Sequence, residues 1–246
     1  MLHGVNDLIG FHLAAVGGEA IGVLSDLLFD ERSSQTRYLL IDPESWLPSA
    51  RFLVAPVALG EPDLGERRLI TRLSRAELES APQIRRPTAP RPEEEARLHD
   101  HFRWPPYWSS AAAGLRPYWG GPSGAPEVED AAAGDETARE LRLARNVIGF
   151  GVEAQDGAIG SVDDLILDLA TWTFRYLVID TGSWLPDKRV LVSPQWLARI
   201  DWPERHVVLD LPKERIRSSP AYDRSAALDR GFEEMLHRHV DRAPYW

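Results

Sequence analysis

The 246-residue chain contains no cysteine, which removes disulfides, thiolate metal sites and thiol nucleophiles and suits a reducing compartment. It has no apolar run near the ~20 residues that a helical bilayer crossing requires. Basic residues are in short supply: 28 Lys and Arg stand against 38 Asp and Glu, a net charge of −10. A field of that sign repels a polyanion, so nucleic acid is not an expected partner. No glycine-rich phosphate loop or other cofactor motif is present, and no cofactor is expected. The stretch Met1 to Gly18 lacks a basic lead and is interrupted by His3, Asn6, Asp7 and His12. It is unlike a secretory signal, and the expected location is cytoplasmic.

What the chain does contain is the same passage twice. "RYLLIDPESWLPSARFLVAP" from Arg37 returns as "RYLVIDTGSWLPDKRVLVSP" from Arg175, and at an offset of 138 the 36 positions from Ile21 to Pro56 hold 18 identities without a gap. Upstream, Ile9–Leu13 matches Ile148–Val152 once one extra residue is allowed at Gly17-Gly18. Downstream, "LHDHFRWPPYW" (Leu98 to Trp108) matches "LHRHVDRAPYW" (Leu236 to Trp246). A period this long is a duplicated domain rather than a solenoid.

Within each copy the periodicity is that of strands. "RYLLID" and "RYLVID" are short apolar runs with β-branched residues, as buried strands are, and Pro56 and Pro194 end the strands that follow them. "RIDWPERHVVLDL" reads as a hairpin turning at Pro203 to His206, with Val207, Leu209 and Leu211 alternating with Val208 and Asp210. Ser74 with Glu77 forms a capping box, and Pro212 opens a matching short helix. Later helices are expected in "PEEEARLHDHF" and in "SAALDRGFEEMLHRHV", where Leu228, Phe232, Met235 and Leu236 recur at helical spacing. The expected fold is mainly β: two small β-barrels, each followed by short C-terminal helices and an aromatic tail. Residues 1–108 form the first unit, 109–140 a flexible linker of Gly, Ala, Pro, Ser and acids, and 141–246 the second unit. The linker holds a third Pro-Tyr-Trp, at Pro117, Tyr118 and Trp119.

The order of these strands, with Ile159, Gly160, Val162, Asp164, Leu165 and Asp168 followed by "RYLVID" and "VLVSP", resembles the PRC-barrel domain, as in the cytoplasmic barrel of the photosynthetic reaction-centre H subunit. The resemblance covers Val5 to Pro82 and Asn146 to Pro220. It implies a small barrel used as a docking module, with no catalytic residue to carry over. Unlike the reaction-centre subunit, this chain has no membrane helix and carries two barrels, which are expected to pair face to face with pseudo-two-fold symmetry.

Several residues invite sharper readings. Asp180-Thr181-Gly182-Ser183 after an apolar strand is the tetrapeptide of aspartic peptidases, whose mechanism needs a second such carboxylate sharing one proton. The equivalent here is Asp42, followed by Pro43 and Glu44 instead of Thr and Gly, so turns are the preferred reading and an aspartic-type peptidase using Asp180 with Asp42 is the alternative. His99 with His101, and His237 with His239, suggest metal ligands. Residues two apart on a helix diverge by about 200° and cannot grip one ion, so polar residues on a solvated or domain-facing helix surface, and no metal, are expected. Asp26, Asp30, Asp163, Asp164 and Asp168 lack the ligand spacing of a calcium loop and read as strand-edge charges and turns. Arg37 and Asp42 are too far apart along one strand to pair with each other. No nucleophile elbow is present, and no catalytic residue is assigned. The strongest interaction signal is aromatic: Trp46 and Trp184 at matching links, Trp104, Tyr107 and Trp108 in one tail, and Tyr245 and Trp246 in the other. Large aromatics anchor protein interfaces, but duplication of the tail with its barrel favours a tail that folds back on its own unit. The expected function is a non-enzymatic docking or scaffold module with a protein partner.

Overall fold

The computed structural model describes residues 1–15, 17–43, 51–82, 89–108 and 140–246; Trp46, Pro117, Tyr118, Trp119 and all but the last residue of the 109–140 segment lie outside them. The first unit contains β1 (Leu2–Gly4), β2 (His12–Ala14), β3 (Ala20–Asp30), β4 (Thr36–Asp42), β5 (Phe52–Val54) and β6 (Arg68–Ile70). The second contains β7 (Leu141–Leu143), β8 (Gly151–Ala154), β9 (Gly157–Asp168), β10 (Thr173–Asp180), β11 (Arg189–Val192), β12 (Leu197–Asp201) and β13 (His206–Leu209). The fold is mainly β, with two sheets in barrel-like units and short helices at the end of each.

Each unit is built around one long strand. β9 pairs antiparallel with β10 on one side and with β8 on the other, β8 runs parallel to β13, and β13 forms a hairpin with β12. The first unit repeats this with β3 between β4 and β2, and β2 parallel to β6. The apolar runs explain the central places of β4 and β10: Tyr38 to Ile41 and Tyr176 to Ile179 are all buried, as strands covered on both faces require. The hairpin alternates as expected, Val207, Leu209 and Leu211 being buried. Gly160 pairs with Val152 beside the residue where β9 bulges against β8. Its φ is 153°, and a Cβ there would collide with the backbone carbonyl of Asp180, as one at Gly22 would with that of Asp42, which accounts for the repeated Ile-Gly pair.

The first three-residue strand of each unit belongs to the sheet of the other. β1 pairs with the far end of β9, Leu2 opposite Asp168 and Gly4 opposite Ile166. β7 pairs with β3, Leu141 opposite Asp30 and Leu143 opposite Leu28. The short helix after each exchanged strand, Val5–Leu8 or Ala144–Val147, is fastened by a carboxylate of the receiving unit. Asn6 N–H donates to Asp164 Oδ1 at 3.1 Å, and Arg145 N–H to Asp26 Oδ1 at 3.2 Å. Asp26 and Asp164 are therefore buried acceptors, not strand-edge charges. Burial raises the proton affinity of both, opposed by the amides that bond them. Where the β3–β4 and β9–β10 turns meet, Thr36 N–H donates to the Trp172 carbonyl and Phe174 N–H to the Ser34 carbonyl, both at 2.8 Å. The two bonds exchange under the 138-residue offset, as an isologous contact requires. Gln35 and Thr173, equivalents of each other, bridge at its centre.

Candidate functional site

Tyr38 on β4 points at helix Pro92–Phe102, and Tyr176 on β10 at helix Arg230–Val240. The Tyr38 hydroxyl donates to Glu95 Oε1 at 2.8 Å and lies 2.8 Å from His99 Nε2. The Tyr176 hydroxyl donates to Glu233 Oε1 at 2.9 Å and lies 3.1 Å from His237 Nε2. The tail then returns over the helix, so that Tyr107 and Tyr245 donate to the same carboxylate oxygens, each at 2.6 Å. A phenol has one proton, and in each cluster the inner one is given to the carboxylate; the imidazole must therefore donate from Nε2 to the phenol oxygen. Burial, and next the adjacent Glu95 or Glu233 charge, hold Tyr38 and Tyr176 far above the usual phenol range. Tyr245 is raised by burial and by Glu233, while burial lowers the proton affinity of His237. These phenols stay protonated donors and the imidazole stays neutral, which suits a fixed structural network.

Aromatic and cationic faces enclose each cluster. Arg37 lies over the Tyr107 ring at 4.2 Å and Arg175 over Tyr245 at 4.0 Å. Two tryptophans meet each buried histidine: the equivalent tail residues Trp108 and Trp246, at 4.5 and 5.5 Å, and a second one drawn from a different position in each copy. Trp104 of the tail meets His99 at 5.7 Å, whereas Trp196, in the turn Pro194–Trp196, meets His237 at 5.1 Å. The positions equivalent to these are Arg242 and Ala58. The tail tryptophan keeps its place in both copies, while the second tryptophan comes from a different position in each.

The expected helix faces need correcting. In Arg230–Val240 the buried residues are Glu233, Leu236, His237 and Val240, while Met235 is 47% exposed and Leu228 precedes the helix. His99 and His237 are buried and face the barrel, at the domain-facing and not the solvated side of their helices. His101 and His239 turn the other way, to the carbonyls of Glu77 and Arg215. Neither histidine pair converges on a point. Tyr38, Tyr176, Glu95, Glu233 and Trp196 were not singled out from the sequence, although the repeated Tyr and the repeated Glu-x-x-Leu-His carried the signal.

The other singled-out residues have separate places. Trp104 is buried and stacks on Phe102 at 4.5 Å; Tyr107 and Trp108 are half-buried, with Trp108 4.5 Å from His99. Trp246 is 38% exposed beneath Arg230 at 3.8 Å. Trp184 is half-buried under Lys213 and Arg217. Asp180 accepts from Gly182 N–H at 2.8 Å, and its other oxygen meets Arg189 at 3.3 Å. Thr181 Oγ donates within its own loop, toward the carbonyls of Leu185 and Lys188. Asp42 pairs with Arg51 at 3.8 Å. Each carboxylate of the peptidase alternative is thus paired with an arginine of its own unit, and Asp180-Thr181-Gly182 is a turn, Gly182 taking a φ of 53°. Arg37 and Arg175 find their acids on the neighbouring strand, at Asp30 and Asp168, each at 3.3 Å.

Two copies of one small barrel, each closed by a helix and an aromatic tail, define a tandem-barrel protein. The PRC-barrel domain matches residues 2–78 and again 140–216, and the chain belongs to that family. No curated protein matches it by sequence. Among the described residues no helix is long and apolar enough to cross a membrane.

Proposed function

We propose that the protein is a non-enzymatic, cytoplasmic docking module whose paired barrels present aromatic side chains to a protein partner. The observation that supports this most is the commitment of its chemically capable groups to internal bonds. Asp42, Asp180, His99, His237, Glu95 and Glu233 all serve turns, ion pairs or the buried clusters. Partly exposed aromatics under cations remain at the surface: Trp246 under Arg230, and Trp184 under Lys213 and Arg217. Aromatic and arginine side chains are the residues on which interface energy concentrates. The test is pull-down from native cell extract with the intact chain and with Trp184→Ala and Trp246→Ala. Loss of one specific protein with either variant, at unchanged melting temperature, supports the reading. Retention of the same proteins by both variants overturns the assignment of these tryptophans.

A further inference from the structure

A cavity of about 490 Å³ opens along the seam between the units, walled by both of them. The first unit supplies Phe29 and the turn Glu31 to Ser34, and the second supplies Leu165, Phe174, Leu177 and Ile200. The volume falls within the ~300 to 1,000 Å³ of small-molecule sites, which favour such junctions. Its charged groups divide into two kinds. Glu31 is occupied by Arg142 at 3.1 Å and the Trp202 indole N–H at 2.8 Å, and Arg175 by Asp168, Thr171 and the face of Tyr245. Arg32 and Arg199 also line the cavity, are exposed, and have no acidic partner among the described residues. An apolar chamber with two guanidiniums available at its wall suits a ligand with an apolar body and an anionic head.

We propose that this cavity binds a single-chain amphipathic carboxylate, its alkyl chain against Phe29, Phe174 and Leu177 and its carboxylate at Arg32 and Arg199. Because one guanidinium comes from each unit, the ligand would span the seam, a role the docking reading does not require. The test is titration calorimetry of the full chain with laurate below its micelle concentration, beside its methyl ester and dodecylamine. The expected result is one site per chain for laurate, at least ten-fold weaker binding of the ester and none of the amine. Decanoate should bind roughly ten-fold more weakly than laurate, the effect of two fewer buried methylenes. Arg32→Gln with Arg199→Gln should weaken laurate at least ten-fold with no change in melting temperature, since neither side chain holds a structural ion pair. Ile200→Trp, which fills the cavity, should abolish binding. Absence of laurate binding, equal binding of the amine, a stoichiometry well above one, or affinity unchanged in the arginine variant would overturn the proposal.

Discussion

The two buried clusters put an unusual demand on single residues, because Glu95 and Glu233 take charge-accepting positions in a core and each relies on two phenols to satisfy one oxygen. Removing a donor from a buried acceptor exposes the cost of desolvating it, about 1 to 3 kcal/mol. Tyr176→Phe keeps the ring in place but takes a donor from Glu233 and an acceptor from His237, so it should destabilise by that amount in denaturant unfolding. Tyr245→Phe should cost less, because its ring is half-buried and water can replace it. If Tyr176→Phe leaves the denaturant midpoint unchanged, the network contributes nothing to stability. The same cluster should impose a pH dependence. Burial lowers the proton affinity of folded His237, so its contribution is fully present above the unfolded imidazole value of ~6.5 and is lost as pH falls below it. Melting temperature should be flat from pH 8 to 7 and decline toward pH 5, and His237→Gln should reduce that decline. An equal decline in the variant would assign the acid sensitivity to other groups.

Elements show how far periodicity reaches. The strand runs, the hairpin and the Ser74–Glu77 capping box were legible because their signals are local: continuous apolar residues, alternation, and a cap with its N3 partner three residues on. The face of helix Arg230–Val240 was not, because two of its four buried positions are Glu and His, and a search for apolar residues shifts the stripe toward Met235. Pairing of β1 with β9 was also out of reach. Both units offer nearly the same edge to a three-residue strand, and nothing within Leu2–Gly4 says which copy it will join. Asp164 shows this limit well: its place in the repeated pattern was visible, while its role as acceptor for the Asn6 amide depends on the exchange. Asp164→Ala leaves the amides of Asn6 and Leu165 without that acceptor and should cost about 1 to 2 kcal/mol. Asp164→Asn retains an acceptor and avoids burying a charge, so it should cost clearly less. Equal losses in the two variants, measured by denaturant unfolding, would mean that the charge beside Arg224 and not the amide latch is what matters.

At the scale of the whole molecule, reciprocal strand exchange makes each barrel incomplete without the other. β9 carries β1 along Ile166–Asp168, the Met1 amine meets Asp168 at 3.1 Å and Leu169 N–H donates to the Met1 carbonyl at 3.0 Å. Glu31 reaches across the seam to Trp202, and Phe29 packs edge-on against Phe174 at 5.1 Å. Fragment 141–246 alone would expose the edge of β9 and the apolar seam around Phe174, and fragment 1–108 alone would expose β3 in the same way, an arrangement that isolated sheets avoid. The chain between them acts as a tether that raises the local concentration of each half for the other. Cutting it at an engineered protease site between residues 109 and 139 should leave one particle of unchanged mass by light scattering, because the ladders and seam contacts do not depend on the tether. The cut protein should, however, melt at a temperature that rises with protein concentration, whereas the intact chain should not, since unfolding now releases two molecules. Amide exchange adds a local reading: deleting Met1 to Gly4 should raise exchange at Ile166 to Leu169, more than a hundred and fifty residues away in sequence. If fragment 141–246 alone matches the intact chain in melting temperature and in protection along β9, the exchanged strand is dispensable and the two barrels are independent neighbours.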